Sequence, residues 1–98
     1  MRIEILDQAE LDLLEGFHFY EAQQPGLGAY FLDRLYSDIE SLHQYAGIHL
    51  KPHGNYFRLL SKRFPFAIYY TLSNESVFIH AVVDCRRDPE RLKRKLGL

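Results

Sequence analysis

Cysteine and tryptophan are scarce in this sequence, which has one Cys, no Trp and four Pro among 98 residues. Because Cys85 has no second cysteine to pair with, an intramolecular disulfide is excluded, and a reducing compartment is favoured. No run approaches the about 18 apolar residues that a membrane-spanning helix needs. Residues 1–7 alternate apolar and charged side chains and contain no apolar signal region. We therefore expect a cytoplasmic protein that does not associate with a membrane.

Charge is distributed unevenly along the chain. Residues 1–50 hold two basic and nine acidic residues, a net charge of −7, whereas residues 51–98 hold ten basic and four acidic residues, a net charge of +6. The basic half permits an acidic partner to dock. The overall charge of −1 argues against stable binding to free nucleic acid, since such binding depends on neutralising phosphates.

The first half of the sequence predicts a short strand followed by two helices. Alternation indicates a strand over residues 2–6, and Asp7 with Glu10 resembles a capping box for a helix that ends before Pro25. The positions that recur at helical spacing on this first helix are Leu11, Leu14, Phe17 or His18, and Tyr20 or Glu21. A second helix is expected over 27–45. Its apolar stripe consists of Leu27, Phe31, Leu35, Ile39, Leu42 and Ala46.

The second half predicts an antiparallel meander. Residues 47–55 have turn composition, strands are expected over 56–61, 65–72 and 77–84, and residues 73–75 form a hairpin turn. We therefore predict one α+β domain over residues 1–98. Its antiparallel helical hairpin packs on one face of an antiparallel sheet of about four strands, and the other face is left for function.

The C-terminal segment predicts a short basic helix, with Asp88 as N-cap and Pro89 in the first helical position. Its cations are candidate contacts for an acidic binding partner. Alternatively, they only stabilise the helix through its dipole. These cations are Arg91, Lys93, Arg94 and Lys95.

Four arginines on or beside the predicted strands point to recognition of an anionic partner, because exposed ion pairs contribute only about 0–1 kcal/mol each to stability. These four are Arg58, Arg63, Arg86 and Arg87. On a regular strand, His80 and Asp84 would share one face near Arg58. Alternatively, His80 is a hydrogen-bonded strand histidine and Asp84 pairs with Arg86 or Arg87. No catalytic base is assigned.

Three further residue types are site candidates. Tyr69 is the best exposed aromatic candidate for binding a target, although most of the neighbouring aromatic residues are expected in the core. Cys85 has either a thiol pKa lowered by Arg86 or, more commonly for cysteine, partial burial as a small apolar side chain. The histidines near the predicted loop offer too few ligands for zinc, so we predict neither a metal nor a cofactor.

Three blocks of the sequence resemble the RelE/ParE toxin superfamily of bacterial type II toxin–antitoxin modules. The first runs from Tyr20-Glu21 through Pro25-Gly26-Leu27-Gly28 to Phe31-Leu32. The second comprises Arg58-Leu59-Leu60 and the block from Arg63 to Tyr70. The third comprises Ala81-Val82 and Arg86-Arg87-Asp88-Pro89. The second and third blocks are typical of the ParE-like branch.

The resemblance implies a toxin that is held inactive by a cognate antitoxin, whose C-terminal segment covers the sheet or the helical hairpin. ParE-like members include inhibitors of DNA gyrase, whereas RelE-like members cleave mRNA in the ribosome, often with a C-terminal tyrosine. This chain has no tyrosine after Tyr70, and Asp84 stands where many relatives have histidine. The resemblance therefore favours gyrase binding. The alternatives are ribosome-dependent mRNA cleavage and a degenerate, non-toxic module that only binds an antitoxin.

Overall fold

The computed structural model describes residues 1–87 and 89–98 and confirms the predicted α+β fold. The elements in chain order are β1 (Arg2–Ile5), α1 (Asp7–Gln23), α2 (Leu27–Glu40), α3 (Leu42–Tyr45), β2 (Phe57–Leu60), β3 (Phe66–Ser73), β4 (Ser76–Asp84) and α4 (Pro89–Leu96). The predicted N-cap role of Asp88 lies outside the described residues, whereas Pro89 begins α4 as predicted.

The four strands form one sheet in the order β1-β4-β3-β2. Strands β2, β3 and β4 form the predicted antiparallel meander. Strand β1 differs from the expectation of a wholly antiparallel sheet, because it pairs with β4 in parallel. Parallel pairing requires a long crossover, and the helices between β1 and β4 provide one.

Helix α1 differs from the sequence prediction at its start and in its buried face. Leu6 occupies the N-cap position, and no side chain caps the helix, so the predicted role of Asp7 as a cap is wrong. Leu11 and Leu14 are exposed, whereas Leu13 and Gly16 are buried. Gly16 is buried in this face for a steric reason. An added Cβ at Gly16 would lie 2.5 Å from the Phe31 ring, so this small residue allows α2 to approach α1 closely.

Helix α2 follows the predicted apolar stripe. Phe31, Leu35 and Ile39 are buried against the sheet. The predicted single helix over 27–45 is interrupted at Ser41, whose hydroxyl donates to the Asp38 carbonyl oxygen at 2.6 Å. Such a bond competes with regular helical hydrogen bonding, and the chain continues as the short helix α3.

A bulge in β4 shifts the alternation of its side chains between the two faces of the sheet. The pairing register shifts between Tyr69 and Tyr70, which leaves His80 as the extra residue of β4. Ile68 and Tyr70 pack beneath the helical hairpin. On the opposite face, Tyr69 packs with Leu96 of α4.

The predictions that the second face of the sheet is free and that Tyr69 is exposed are therefore wrong. Helix α4 covers this face, and Tyr69 is only 3% exposed. Within the part of the chain that the structure describes, no helix is both long and apolar enough to cross a membrane.

Candidate functional site

A groove of about 810 Å³ lies between α1, α4 and the ends of β2, β3 and β4. It forms because β1 is shorter than β4. The parallel pairing reaches only the pair Ile5 and Ile79, so β4 continues beyond β1. Helices α1 and α4 meet beside this extension. The charged residues that line the groove are Asp12, Glu15, Arg58, Asp84, Arg87, Arg91 and Lys95.

Asp12 joins the walls of the groove. Its Oδ2 accepts a hydrogen bond from the backbone N–H of Val82 at 2.9 Å, which satisfies a backbone group of β4 beyond the end of β1. Its Oδ1 accepts from Lys95 Nζ at 2.5 Å and from Gln8 Nε2 at 2.9 Å. One buried carboxylate therefore connects α1, β4 and α4.

Arg86 forms an ion pair with Asp84, as one of the sequence alternatives proposed. The shortest distance between the two charged groups is 2.7 Å, and the Arg86 backbone N–H also donates to Asp84 Oδ1. These bonds hold the pKa of Asp84 below its usual value. The guanidinium reaches the hydroxyl of Tyr20, a tyrosine whose pKa is raised by burial. Arg86 therefore orders the chain after β4.

His80 and Asp84 do not share a face, which contradicts the prediction made for a regular strand. The bulge at His80 reverses the alternation between these two residues. His80 Nε2 is hydrogen-bonded to Thr71 Oγ1 at 2.8 Å, and its ring lies edge-on to Tyr56. Burial lowers the pKa of His80. The alternative of a hydrogen-bonded strand histidine is confirmed.

Arg58 and Tyr69 are paired opposite each other on β2 and β3 and face the groove. Burial raises the pKa of Tyr69, and a hydrogen bond from Arg58 partly offsets this effect. The ring of His53 lies 6.0 Å from that of Tyr69. Cys85 is exposed, and desolvation and the neighbouring Asp84 raise the pKa of its thiol, so the less favoured alternative of a thiol pKa lowered by Arg86 is wrong.

The other predicted site residues occupy different surroundings. Arg87 lines the groove and has no ion pair among residues 1–87 and 89–98. Arg63 is exposed in the connection between β2 and β3. In α4, Arg91 pairs with Glu15 at 3.4 Å and Lys93 pairs with Glu90 at 3.6 Å. Arg94 is exposed and Lys95 is engaged with Asp12.

Sequence reasoning missed Asp12, His18 and Phe19, and it considered His53 only as a metal ligand; all four residues line the groove. One sequence signal for Asp12 was available, because Asp12 lies next to Leu13 and four residues before Gly16, on the buried face of α1. His18 had no comparable signal. Among the described residues, no cluster of three or more His, Cys, Asp or Glu side chains has the arrangement of a metal site.

No protein-family model matches this sequence, and no curated protein matches it. Among solved structures, a chain of the chromosomal ParDE toxin–antitoxin (TA) system from P. aeruginosa has the same fold, with a TM-score of 0.79 over 86% of this chain and 95% of that chain. The two sequences are 16% identical, so the likeness is one of fold. The fold that the sequence resemblance implied is confirmed.

Proposed function

We propose that this chain is the toxin of a type II toxin–antitoxin module, similar to ParE toxins. In this proposal it arrests growth in the bacterial cytoplasm by binding DNA gyrase, and a cognate antitoxin neutralises it. The shared fold with a chain of a ParDE system supports the toxin–antitoxin assignment. The observation that carries the choice of a binding mechanism is the groove with Arg58 and Arg87.

Arg58 and Arg87 are the groove cations that are available to an outside partner. Arg91 and Lys95 already pair with Glu15 and Asp12, whereas Arg58 and Arg87 have no ion pair within the described residues. An anionic group of a target can therefore bind either arginine without breaking an ion pair between described residues. Such binding requires no catalytic base.

The exposed cations of α4 are the proposed contacts for an acidic antitoxin segment. Lys93 and Arg94 are exposed, and the ion pair of Lys93 among the described residues is with Glu90 of the same helix. Arg91 is half-buried and contributes its remaining accessible surface. Lys95 contributes indirectly, because its bond to Asp12 holds α4 in position.

Ribosome-dependent mRNA cleavage is the second candidate, and His53 is the observation that favours it. The imidazole lies beside Tyr69 in the same groove as Arg58. An imidazole can move a proton, and a guanidinium can stabilise the charge that develops on a phosphate. Under this mechanism, growth arrest depends on His53. Under gyrase binding, His53→Gln keeps most of the arrest.

Inducible expression in bacteria that lack the cognate antitoxin tests the proposal, with DNA and protein synthesis followed separately by pulse labelling. Gyrase inhibition predicts an early loss of DNA synthesis with filamentation. An early loss of protein synthesis would make mRNA cleavage the function. Normal growth in the presence of folded protein would overturn both and leave a non-toxic antitoxin-binding module.

Substitutions in the groove test whether growth arrest depends on this site. The double substitution Arg58→Gln with Arg87→Gln is expected to abolish the arrest. Arg2→Gln is the matched control, because Arg2 is exposed at the start of β1 and is not part of the groove. Equal toxicity of the double variant and the control would exclude the groove as the target-binding site.

A further inference from the structure

Apolar side chains from three elements line the groove beside its charged residues. Phe19 of α1 is 46% exposed, Leu60 at the end of β2 is 54% exposed, and Leu92 of α4 is half-buried. These side chains line one cavity, so the apolar body of a ligand in the groove would remove their accessible surface from water. The groove therefore favours a ligand that has an apolar body.

The dimensions of the groove suit a small molecule. Its volume is about 810 Å³, and sites for small molecules usually have volumes of about 300–1,000 Å³. Helices α1 and α4 flank it, and two ion pairs join them, Asp12 with Lys95 and Glu15 with Arg91. These pairs fix the two helices relative to each other before a ligand binds, which reduces the entropic cost of binding.

Arg58 is the polar group that can orient a ligand in this groove. It is half-buried on β2 and has no ion pair within the described residues. The carboxylates that line the groove pair with other cations: Asp12 with Lys95, Glu15 with Arg91, and Asp84 with Arg86. A half-buried guanidinium favours an anionic ligand, and its planar fork matches the two oxygens of a carboxylate.

We propose that the groove binds a small aromatic carboxylate. Its carboxylate pairs with Arg58, and its ring lies among Phe19, Leu60 and Leu92. A carboxylate is favoured over a polyphosphate because apolar walls disfavour a strongly hydrated polyanion. An aromatic body is favoured because Phe19 and Tyr69 line the groove with rings. The proposal concerns a small molecule and does not depend on whether the chain arrests growth.

The test uses the purified full chain and four probes. Naphthalene-2-carboxylate is the expected ligand, its carboxamide keeps the ring without the charge, and acetate keeps the charge without the ring. Uridine 3′-monophosphate represents a nucleotide. We expect calorimetric titration to give naphthalene-2-carboxylate a dissociation constant below about 1 mM, and each other probe a constant at least about tenfold higher. NMR shifts of the Arg58, Leu60 and Leu92 amides should change on binding, which locates the ligand without any substitution.

Two substitutions separate the contact to the charge from the contact to the ring. Arg58→Gln is expected to weaken binding of naphthalene-2-carboxylate at least about tenfold, and Phe19→Gln at least about threefold. The matched controls are Arg2→Gln and Tyr30→Gln, because both residues are exposed and do not line the groove. Each control should change the affinity less than about twofold, and circular dichroism verifies that all four variants are folded.

Four results would overturn the proposal. The first is no binding of naphthalene-2-carboxylate below about 1 mM. The second is equal or tighter binding of the carboxamide, of acetate or of the nucleotide. The third is a set of shift changes that lies outside the groove. The fourth is an equal affinity of the groove variants and their controls.

Discussion

Asp12 is a buried carboxylate that joins three elements of the fold. Its side chain is 0% exposed, and that of its partner Lys95 is 15% exposed. The second carboxylate oxygen accepts from the Val82 backbone. Burying a carboxylate is costly unless it is paired and hydrogen-bonded, so each partner of Asp12 matters for stability.

Lys95→Met is expected to lower the free energy of unfolding by about 3 kcal/mol, because it leaves the Asp12 charge buried without its cation. Urea denaturation measures this loss. The matched control is Arg91→Met, which breaks the more exposed pair with Glu15 and is expected to cost no more than about 1 kcal/mol. Equal losses in the two variants would show that the Asp12 pair has no special role.

His49 connects the loop before β2 to the core. The Tyr70 hydroxyl accepts the Gly47 N–H at 3.0 Å and is hydrogen-bonded to His49 Nδ1. Burial lowers the pKa of His49, so the folded chain favours the neutral imidazole.

Stability should therefore fall as the pH is lowered from about 6.5, the ordinary pKa of histidine in the unfolded chain. Below that pH the unfolded chain binds protons that folded His49 and His80 resist, so the loss accumulates down to their lowered pKa values and then stops. Urea denaturation at several pH values measures this trend. His49→Gln should reduce the slope, and an unchanged slope would exclude a contribution from His49.

At the scale of an element, the turn between β3 and β4 has an unusual backbone conformation. Ser73 pairs with Ser76, and the two residues between them have positive φ values of 49° at Asn74 and 62° at Glu75. Two consecutive residues of this kind define a type I′ turn, which matches the twist of the flanking strands and favours Asn-Gly. Glu75 is therefore a strained choice.

Glu75→Gly is expected to stabilise the protein by up to about 1 kcal/mol. The left-handed conformation costs a residue with a Cβ about 1–2 kcal/mol, and the larger conformational entropy that glycine loses on folding offsets part of the relief. Thermal unfolding measures the gain. Glu75→Ala serves as the control, since it removes the same charge and keeps the Cβ. A similar gain in both variants would assign the effect to charge.

At the scale of the whole molecule, helices cover both faces of the sheet. The hairpin of α1 and α2 covers the face of Tyr70, and α4 covers the smaller face of Tyr69 through Leu96. Helix α4 also completes the ion pair of Asp12. We therefore regard α4 as part of the folded core, in addition to its proposed role in binding an antitoxin.

Ending the chain after Arg87 should lower the melting temperature and increase the fluorescence of a hydrophobic dye, because Tyr69 and its apolar neighbours become exposed. The control ends after Leu96 and keeps all of α4. A melting temperature and dye fluorescence equal to those of the control would mean that α4 contributes little to the fold.

The candidate site was predictable only in part. The sequence identified Arg58, Arg87 and Tyr69, which line the groove, because basic and aromatic residues on strands stand out in a linear pattern. The sequence did not distinguish these arginines from Arg86, whose guanidinium forms an ion pair with Asp84. That difference depends on the conformation of the chain after β4, which residue type does not encode.

The sequence by itself determined the order and type of the elements, since periodicity, Pro25 and the turn at residues 73–75 act locally. Tertiary structure alone decided which face of α1 is buried, the parallel pairing of β1 with β4, the bulge at His80 and the cover of Tyr69 by α4. The physical reason is distance along the chain. These features come from packing and hydrogen bonds between segments that are remote along the chain, and a local sequence pattern does not predict such contacts.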